Sequence, residues 1–327
     1  MSALNFIRQA PLGTRGALAL WGTGLLFWPL PANLPGDPAA RLTASYGEGL
    51  YKSDLTEANS GLLGARFFES FEGKKSWDIH SQFAELHRNE KKFADLRKVD
   101  ADFYSSNSGN VVHTKSDFGQ SYFDKRFVTL EGNVVVNSHM GYRFSMDTLD
   151  YDGNSRRFFS DDVVQMRGPN PEKPEMFLTG RGLDAGLNEG NFLVRKQSRA
   201  RRRLSNNTWI HIQSVESEFF PSTHRAVFKK SVTAQLPNLT IKSDGLEMHM
   251  GDSAGELLIA KGNVTLFHKD RKGESDRADI ELANDTIILE GNASITSEDS
   301  EMSGRKITLH TDDDRIEVEN ATGSSRQ

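Results

Sequence analysis

The chain has 327 residues, is 36% hydrophobic and 26% charged, and carries a formal net charge of −5. That length suits about two domains, and the negative balance argues against a nucleic-acid binder on electrostatic grounds. The absence of cysteine excludes disulfides, zinc-thiolate sites, thiol nucleophiles and an N-terminal lipoprotein anchor.

Arg8 and Arg15 precede an uncharged run, residues 16–34, "GALALWGTGLLFWPLPANL". Its 19 residues approach the ~20 of a membrane-spanning helix. Pro29 and Pro31 shorten the regular helix, so a cleaved export signal is the competing reading. We expect one uncleaved N-terminal transmembrane helix over 1–34, with the N-terminus cytoplasmic and the bulk of the chain outside. Residues 35–65 carry Pro, Gly and Ser and read as a linker, with a weak helix at 50–60.

From residue 66 onward, apolar and polar residues alternate with a period of two, the mark of half-buried strands. Three stretches repeat: "LEGNVVV" at 130–136, "AKGNVTL" at 260–266 and "LEGNASI" at 289–295. Alternation puts Gly262 and Gly291 on the apolar face, where a missing side chain marks a bend. Residues 81–103 fit a helix or a strand. Gly262 and Gly291 lie 29 residues apart, and a second strand falls between successive copies. A period near 30 residues signals a stacked array whose units bury their apolar faces only against neighbours. The basic run 195–204, "RKQSRARRRL", reads as a solvated loop joining two β-modules, 66–203 and 204–327. Its alternative is a surface attracted to phosphate groups on a ligand or membrane.

No catalytic constellation emerges. The histidines are scattered, and "TDDDR" at 311–315 lacks the Gly and final Glu of a calcium loop. No cofactor and no metal site are expected. Asn263 and Asn292 stand in Asn-x-Ser/Thr triplets, whose first explanation is the Gly-Asn bend. The candidate site is the apolar face: Val128, Leu130, Val134, Val136, Phe144, Met146, Leu258, Val264, Leu266, Ile280, Leu282, Ile287, Leu289 and Ile295, with Ile307 and Leu309. It is either an ordinary closed core or an open groove for acyl chains. A chain of a dozen methylenes represents on the order of 10 kcal/mol of burial.

The runs "SWDIHSQFAEL" (76–86), "GQSYFDKRFVTLEGNVVVNSHMGYRFSMDTLDYD" (119–152) and "FLTGRGLDAGL" (177–187) resemble the LptC family of lipopolysaccharide export. Residues 241–295 are similar to the OstA-like, LptA-type repeat. An LptC-type chain would end near residue 200, so the second array looks like a fused further module. The resemblance implies an all-β chain: an elongated, partly open β-jelly-roll of stacked antiparallel strands in two consecutive modules. It also implies a non-enzymatic protein of the Gram-negative inner membrane, single-pass, with its bulk in the periplasm. Such a protein accepts lipopolysaccharide from an inner-membrane ABC transporter, comprising permease and ATPase subunits, and passes it toward the outer membrane. Other bridge or outer-membrane assembly components would join by strand addition at a sheet edge, for which Ile316 and Val318 are the candidates. The alternative classes are a membrane-anchored envelope scaffold with a closed β-core and a carbohydrate-processing β-helix enzyme.

Overall fold

The computed structural model describes residues 60–71, 73–87, 93–107, 109–251, 255–298 and 300–325. The expected transmembrane helix, most of the linker and the weak helix up to residue 59 lie outside them. Among the described residues no helix is long and apolar enough to cross a membrane.

Residues 57–327 form one compact unit, built almost wholly of antiparallel strands in a single sheet. Nine strands span the first part: β1 (Ser60–Phe71), β2 (Lys74–His87), β3 (Phe93–Tyr104), β4 (Val111–Tyr122), β5 (Phe127–Asn137), β6 (Arg143–Asp152), β7 (Arg157–Gly168), β8 (Met176–Gly186) and β9 (Phe192–Arg203). Ten follow: β10 (Trp209–Ser214), β11 (Glu216–Phe220), β12 (Arg225–Leu236), β13 (Leu239–Met250), β14 (Glu256–His268), β15 (Arg271–Glu281), β16 (Thr286–Thr296), β17 (Ser300–His310), β18 (Ile316–Glu319) and β19 (Thr322–Ser325). A short 3-10 turn, Pro221–Thr223, precedes β12. Most strands pair with their neighbours in sequence, so the order along the sheet is nearly the order along the chain.

One open reading is resolved here and one expectation is corrected. The ambiguous stretch 81–103 is strand wherever it is described, because β2 and β3 pair from Trp77↔Phe103 to His87↔Phe93. The basic run 195–204 is no solvated loop. It forms most of β9, which pairs with β8 on one side and with β10 and β11 on the other. The backbone therefore passes from residue 203 to residue 209 without any break in the sheet.

Among the described residues no second layer covers the sheet, yet its inner face is buried in one continuous apolar cluster running from Ala65 to Leu309. The sheet must curl over on itself. Long strands that bend midway achieve this, and the repeated Gly-Asn pair makes the bend. Gly132 and Asn133 have φ of 75° and 49°, Gly262 and Asn263 77° and 47°, Gly291 and Asn292 75° and 48°. Only Gly, and less readily Asn, adopts the left-handed region cheaply. Two such residues on one strand face a single residue of the next: Asp147, Asp276 and Arg305. These are β-bulges.

The preceding strand supplies a matching pair, Ser-Asp. Asn133, Asn263 and Asn292 donate their side-chain amides to Asp117, Asp244 and Asp276 at 2.6, 2.7 and 3.0 Å. Ser116, Ser243 and Ser275 donate to the carbonyls of Phe118, Gly245 and Arg277 at 2.7, 2.9 and 2.9 Å. A row of such clips crosses the sheet and marks its fold line. The glycines consequently do not sit on the apolar face as alternation suggested. A Cβ on Gly262 or Gly291 would stand 2.7 or 2.6 Å from a carboxylate oxygen of Asp244 or Asp276, on the side of the clip.

Candidate functional site

The apolar interior is the only candidate site that the sequence marked over its whole length. Val128, Leu130, Val134, Val136, Phe144, Met146, Leu258, Val264, Leu266, Ile280, Ile287, Leu289 and Ile295 are all buried, as are Ile307 and Leu309. Leu282 is half-buried against the same cluster. The structure brings these residues together on one face of one sheet. Most of them touch other side chains on every side, so for much of its length the interior is filled.

Among the described residues two voids open into it. The larger cavity, about 70 Å³, lies against Val112, Val136, Phe144, Leu183, Leu187 and Phe192, under the 138–142 turn and beside Pro221. The smaller, about 10 Å³, lies among Leu266, Gly273, Ile287, Leu289, Ile295 and Leu309. Ile287 and Ile295 sit on opposite sides of the β16 bulge and line the same void, so the two halves of the strand face one another. Of the sequence-marked residues, Val136 and Phe144 reach the first opening; Leu266, Ile287, Leu289, Ile295 and Leu309 reach the second.

Periodicity missed part of the larger cavity. Tyr142 and Met140 lie in a turn rather than a strand. Leu183 and Leu187 flank a Gly-rich stretch with weak alternation. The aromatic density around Phe192 was the available clue. Phe192 meets Phe144 edge-on at 5.0 Å and stacks on Phe219 at 4.9 Å, and Phe219 meets Phe228 at 5.7 Å. This aromatic line carries the core across the β9–β12 junction.

Each opening has a histidine beside it. Burial pushes the His139 imidazole below its ordinary pKa. Burial and the neighbouring Lys269 do the same for His268, whose Nδ1 is buried without a hydrogen bond. Both rings are thereby biased to the neutral form, which suits an apolar lining. Burial raises the pKa of the Tyr142 hydroxyl, opposed in part by the charge of Arg202.

Among the described residues one group of side chains has the composition of a metal site. Ligand atoms of Glu85, His87 and Asp95 lie within 4.8 Å of one another. Arg97 stands 3.5 Å from Glu85 and Gln120 donates to Asp95 at 2.8 Å, so the acidic charge is already met by protein groups.

The predicted docking residues Ile316 and Val318 lie half-buried on β18. They pair with Leu309 and Ile307 of β17. Neither β18 nor β19 has a second partner strand among the described residues, and the far side of β1 is likewise unpaired. β1 is 12 residues long and exposes Leu62, Leu63 and Phe68, the last at 67%.

A single curled sheet with an apolar interior, bent along a clip line and ending in open edges, defines an elongated all-β jelly-roll suited to apolar ligands. Comparison with known proteins finds two family matches, one in each part of the chain. Residues 69–203 match the family described as lipopolysaccharide-assembly, LptC-related. Residues 211–315 match that described as LptA/(LptD N-terminal domain) LPS transport protein. One chain thus joins an LptC-related region to an LptA-like one. Among solved structures, the crystal structure of LptH from Pseudomonas aeruginosa is similar at 14% identity and a TM-score of 0.35. LptH is described there as the LptA homologous periplasmic component of the conserved lipopolysaccharide transport device, and the match covers 36% of this chain and 95% of that one. No curated protein matches the chain.

Proposed function

We propose that the protein carries lipopolysaccharide by holding its acyl chains against the curled sheet, without chemistry on the lipid. It accepts the lipid from an inner-membrane ABC transporter, with permease and ATPase subunits, and passes it toward the outer membrane. In this reading the chain is fixed in the inner membrane of a Gram-negative bacterium by residues 1–34, with the sheet in the periplasm. The observation that supports it is the continuous apolar face opening beneath the 138–142 turn. The two sheet edges, β1 and β18–β19, are then where neighbouring components add strands.

A photo-reactive residue at Phe144, on the larger opening, should crosslink to lipopolysaccharide, and Met140→Glu at its rim should suppress that crosslink while leaving the unfolding midpoint near that of the parent. The envelope-scaffold reading draws on the tightly filled interior. It predicts no crosslink at Phe144 and no effect of Met140→Glu beyond stability. Edge docking is tested by removing residues 311–327. This takes away β18 and β19 but leaves β17 whole, whereas a cut at 305 would also remove half of β17. Pairing with the next component should be lost.

A further inference from the structure

Two adjacent rows on the outer face of β6–β12 carry cations without acids. Across the strands the register places Arg143, Arg167, Phe177, Arg201, His211 and Gln235 in one row. The adjacent row runs from Ser145 through Gln165, Thr179, Arg199 and Gln213 to Thr233. Neither row contains an Asp or a Glu, in a chain whose acids outnumber its bases, 45 to 40. Arg203 and Lys196 extend the surface along β9, and Arg181 faces Lys196. Among the described residues, no carboxylate comes within the 4.0 Å of an ion pair to Arg167, Arg181, Lys196, Arg199, Arg201 or Arg203. Arg143 alone in the rows has an acidic neighbour, the exposed Glu172 at 3.7 Å.

Elsewhere many outward cations are paired. Lys229, Lys261, Lys272 and Arg277 all have carboxylates within 3.5 Å. Like charges placed side by side across strands repel, so an unpaired row costs stability that an external anion would offset. The central cation is also held by rings. The Arg201 guanidinium lies 4.5 Å from the Phe177 ring and 4.7 Å from the Trp209 ring, and both aromatics remain partly exposed.

We infer that this face docks on an anionic phospholipid bilayer. The row spans six strands, roughly 24 Å at ~4.8 Å per strand, and offers a broad face rather than a cleft. That geometry matches a plane of phosphate groups. Trp at the edge of a basic surface suits the headgroup level, where one end of the ring system is apolar and the other wet. The overall negative charge disfavours a polyanion that would wrap the molecule. The inference does not depend on lipid transport through the interior.

The test holds the full chain in phosphatidylcholine nanodiscs, which occupy any membrane-inserting segment. Vesicles of phosphatidylcholine, with or without phosphatidylglycerol, are then added and co-flotation is measured. Flotation is expected with the anionic vesicles only. Each arginine removed should weaken it roughly fivefold, so Arg199→Gln, Arg201→Gln and Arg203→Gln together should weaken it about a hundredfold. Salt should release the protein as the Debye length falls from ~10 Å at 0.1 M to ~3 Å at 1 M. Thr179→Glu with Gln213→Glu adds acids to the face without removing any native cation, and should also release it. Flotation with phosphatidylcholine alone equal to that with anionic vesicles would overturn the inference. So would parent-like flotation of both variants, or capture by soluble polyphosphate without capture by vesicles.

Discussion

The interior of the sheet changes character after Phe228. From β2 to β12 it is built around rings. Trp77, Phe103, Phe144, Tyr151, Phe158, Phe192, Phe219 and Phe228 are all buried, and Phe103, Tyr151 and Phe158 lie within 4.4 to 5.1 Å of one another. Beyond Phe228, no Phe, Tyr or Trp side chain is buried among the described residues. The lining there is Ala, Val, Ile, Leu and Met, with Ala260, Ala278 and Ala293 completely or almost completely covered. The two regions share the fold line and the strand length, so the difference lies in what fills the fold. Large rings prop the halves of each strand apart and leave the larger cavity among them, against Phe144, Phe158 and Phe192. Aliphatic side chains let the halves approach and leave only a small void. The wider void thus falls in the LptC-related region and the narrower one in the LptA-like region.

The contrast is most sharply tested at Phe192. Phe192→Ala should cost about 3–5 kcal/mol in denaturant-induced unfolding and enlarge the first cavity, because the ring touches both Phe144 and Phe219. A loss below about 1 kcal/mol would mean that the rings are not what holds the first region open. Adding a ring to the second region is the converse. Leu289→Phe faces only the small void and should cost about 1–3 kcal/mol through overpacking. If it stabilises the protein instead, the second interior is wider than its lining indicates.

The first region also begins with a charged clamp. Asp78 is buried, and Arg66 donates to it at 2.9 and 2.6 Å, with Lys75 close by. The hydrogen bond from Arg66 leads in holding its carboxyl well below the ordinary range, with Lys75 adding to it. A carboxylate with a lowered folded pKa contributes stability above its unfolded value, ~3.9, and loses it as pH falls toward the folded value. Asp78→Asn should therefore destabilise by about 1–3 kcal/mol at neutral pH, and the gap from the parent should shrink steadily as the solution is acidified below pH ~4. A gap independent of pH would remove the clamp from the account. The smallest effect is expected at the fold line that both regions share. Asn292→Ala deletes the amide that Asp276 accepts, for about 1 kcal/mol, and Asn133→Ala should cost nearly the same. Unequal losses would show that the clip matters more in one region.

Half of the strands were legible because of how the bulge counts residues. On β5, β14 and β16 the Gly-Asn pair adds two residues, so alternation resumes in phase and Val134, Val264 and Ala293 fall inward as read. On the partner strands the count slips by one. Inward residues run Ser116 to Gly119, Ser243 to Leu246 and Ser275 to Ala278, a spacing of three in a period-two pattern. That slip hid the Ser-Asp half of the clip, while the two residues added by the bulge on the Gly-Asn strands put the glycines on the wrong face. In β9 the charge of the arginines outweighed an alternation that was present, with Val194, Ser198 and Ala200 inward, and a central strand was read as a loop.

The amino-acid sequence by itself determined the all-β class, the inward residues of the Gly-Asn strands and the join of an LptC-like to an LptA-like region. These follow from local alternation and from short motifs, which require no knowledge of distant contacts. Only the tertiary structure decided where the interior stays open, that β9 is a central strand, and that its Arg199 and Arg201 stand in rows without an acid. Each of these depends on which strands lie side by side and on how far apart the bulky rings hold the folded halves, and neither is written in the spacing of residues along one strand.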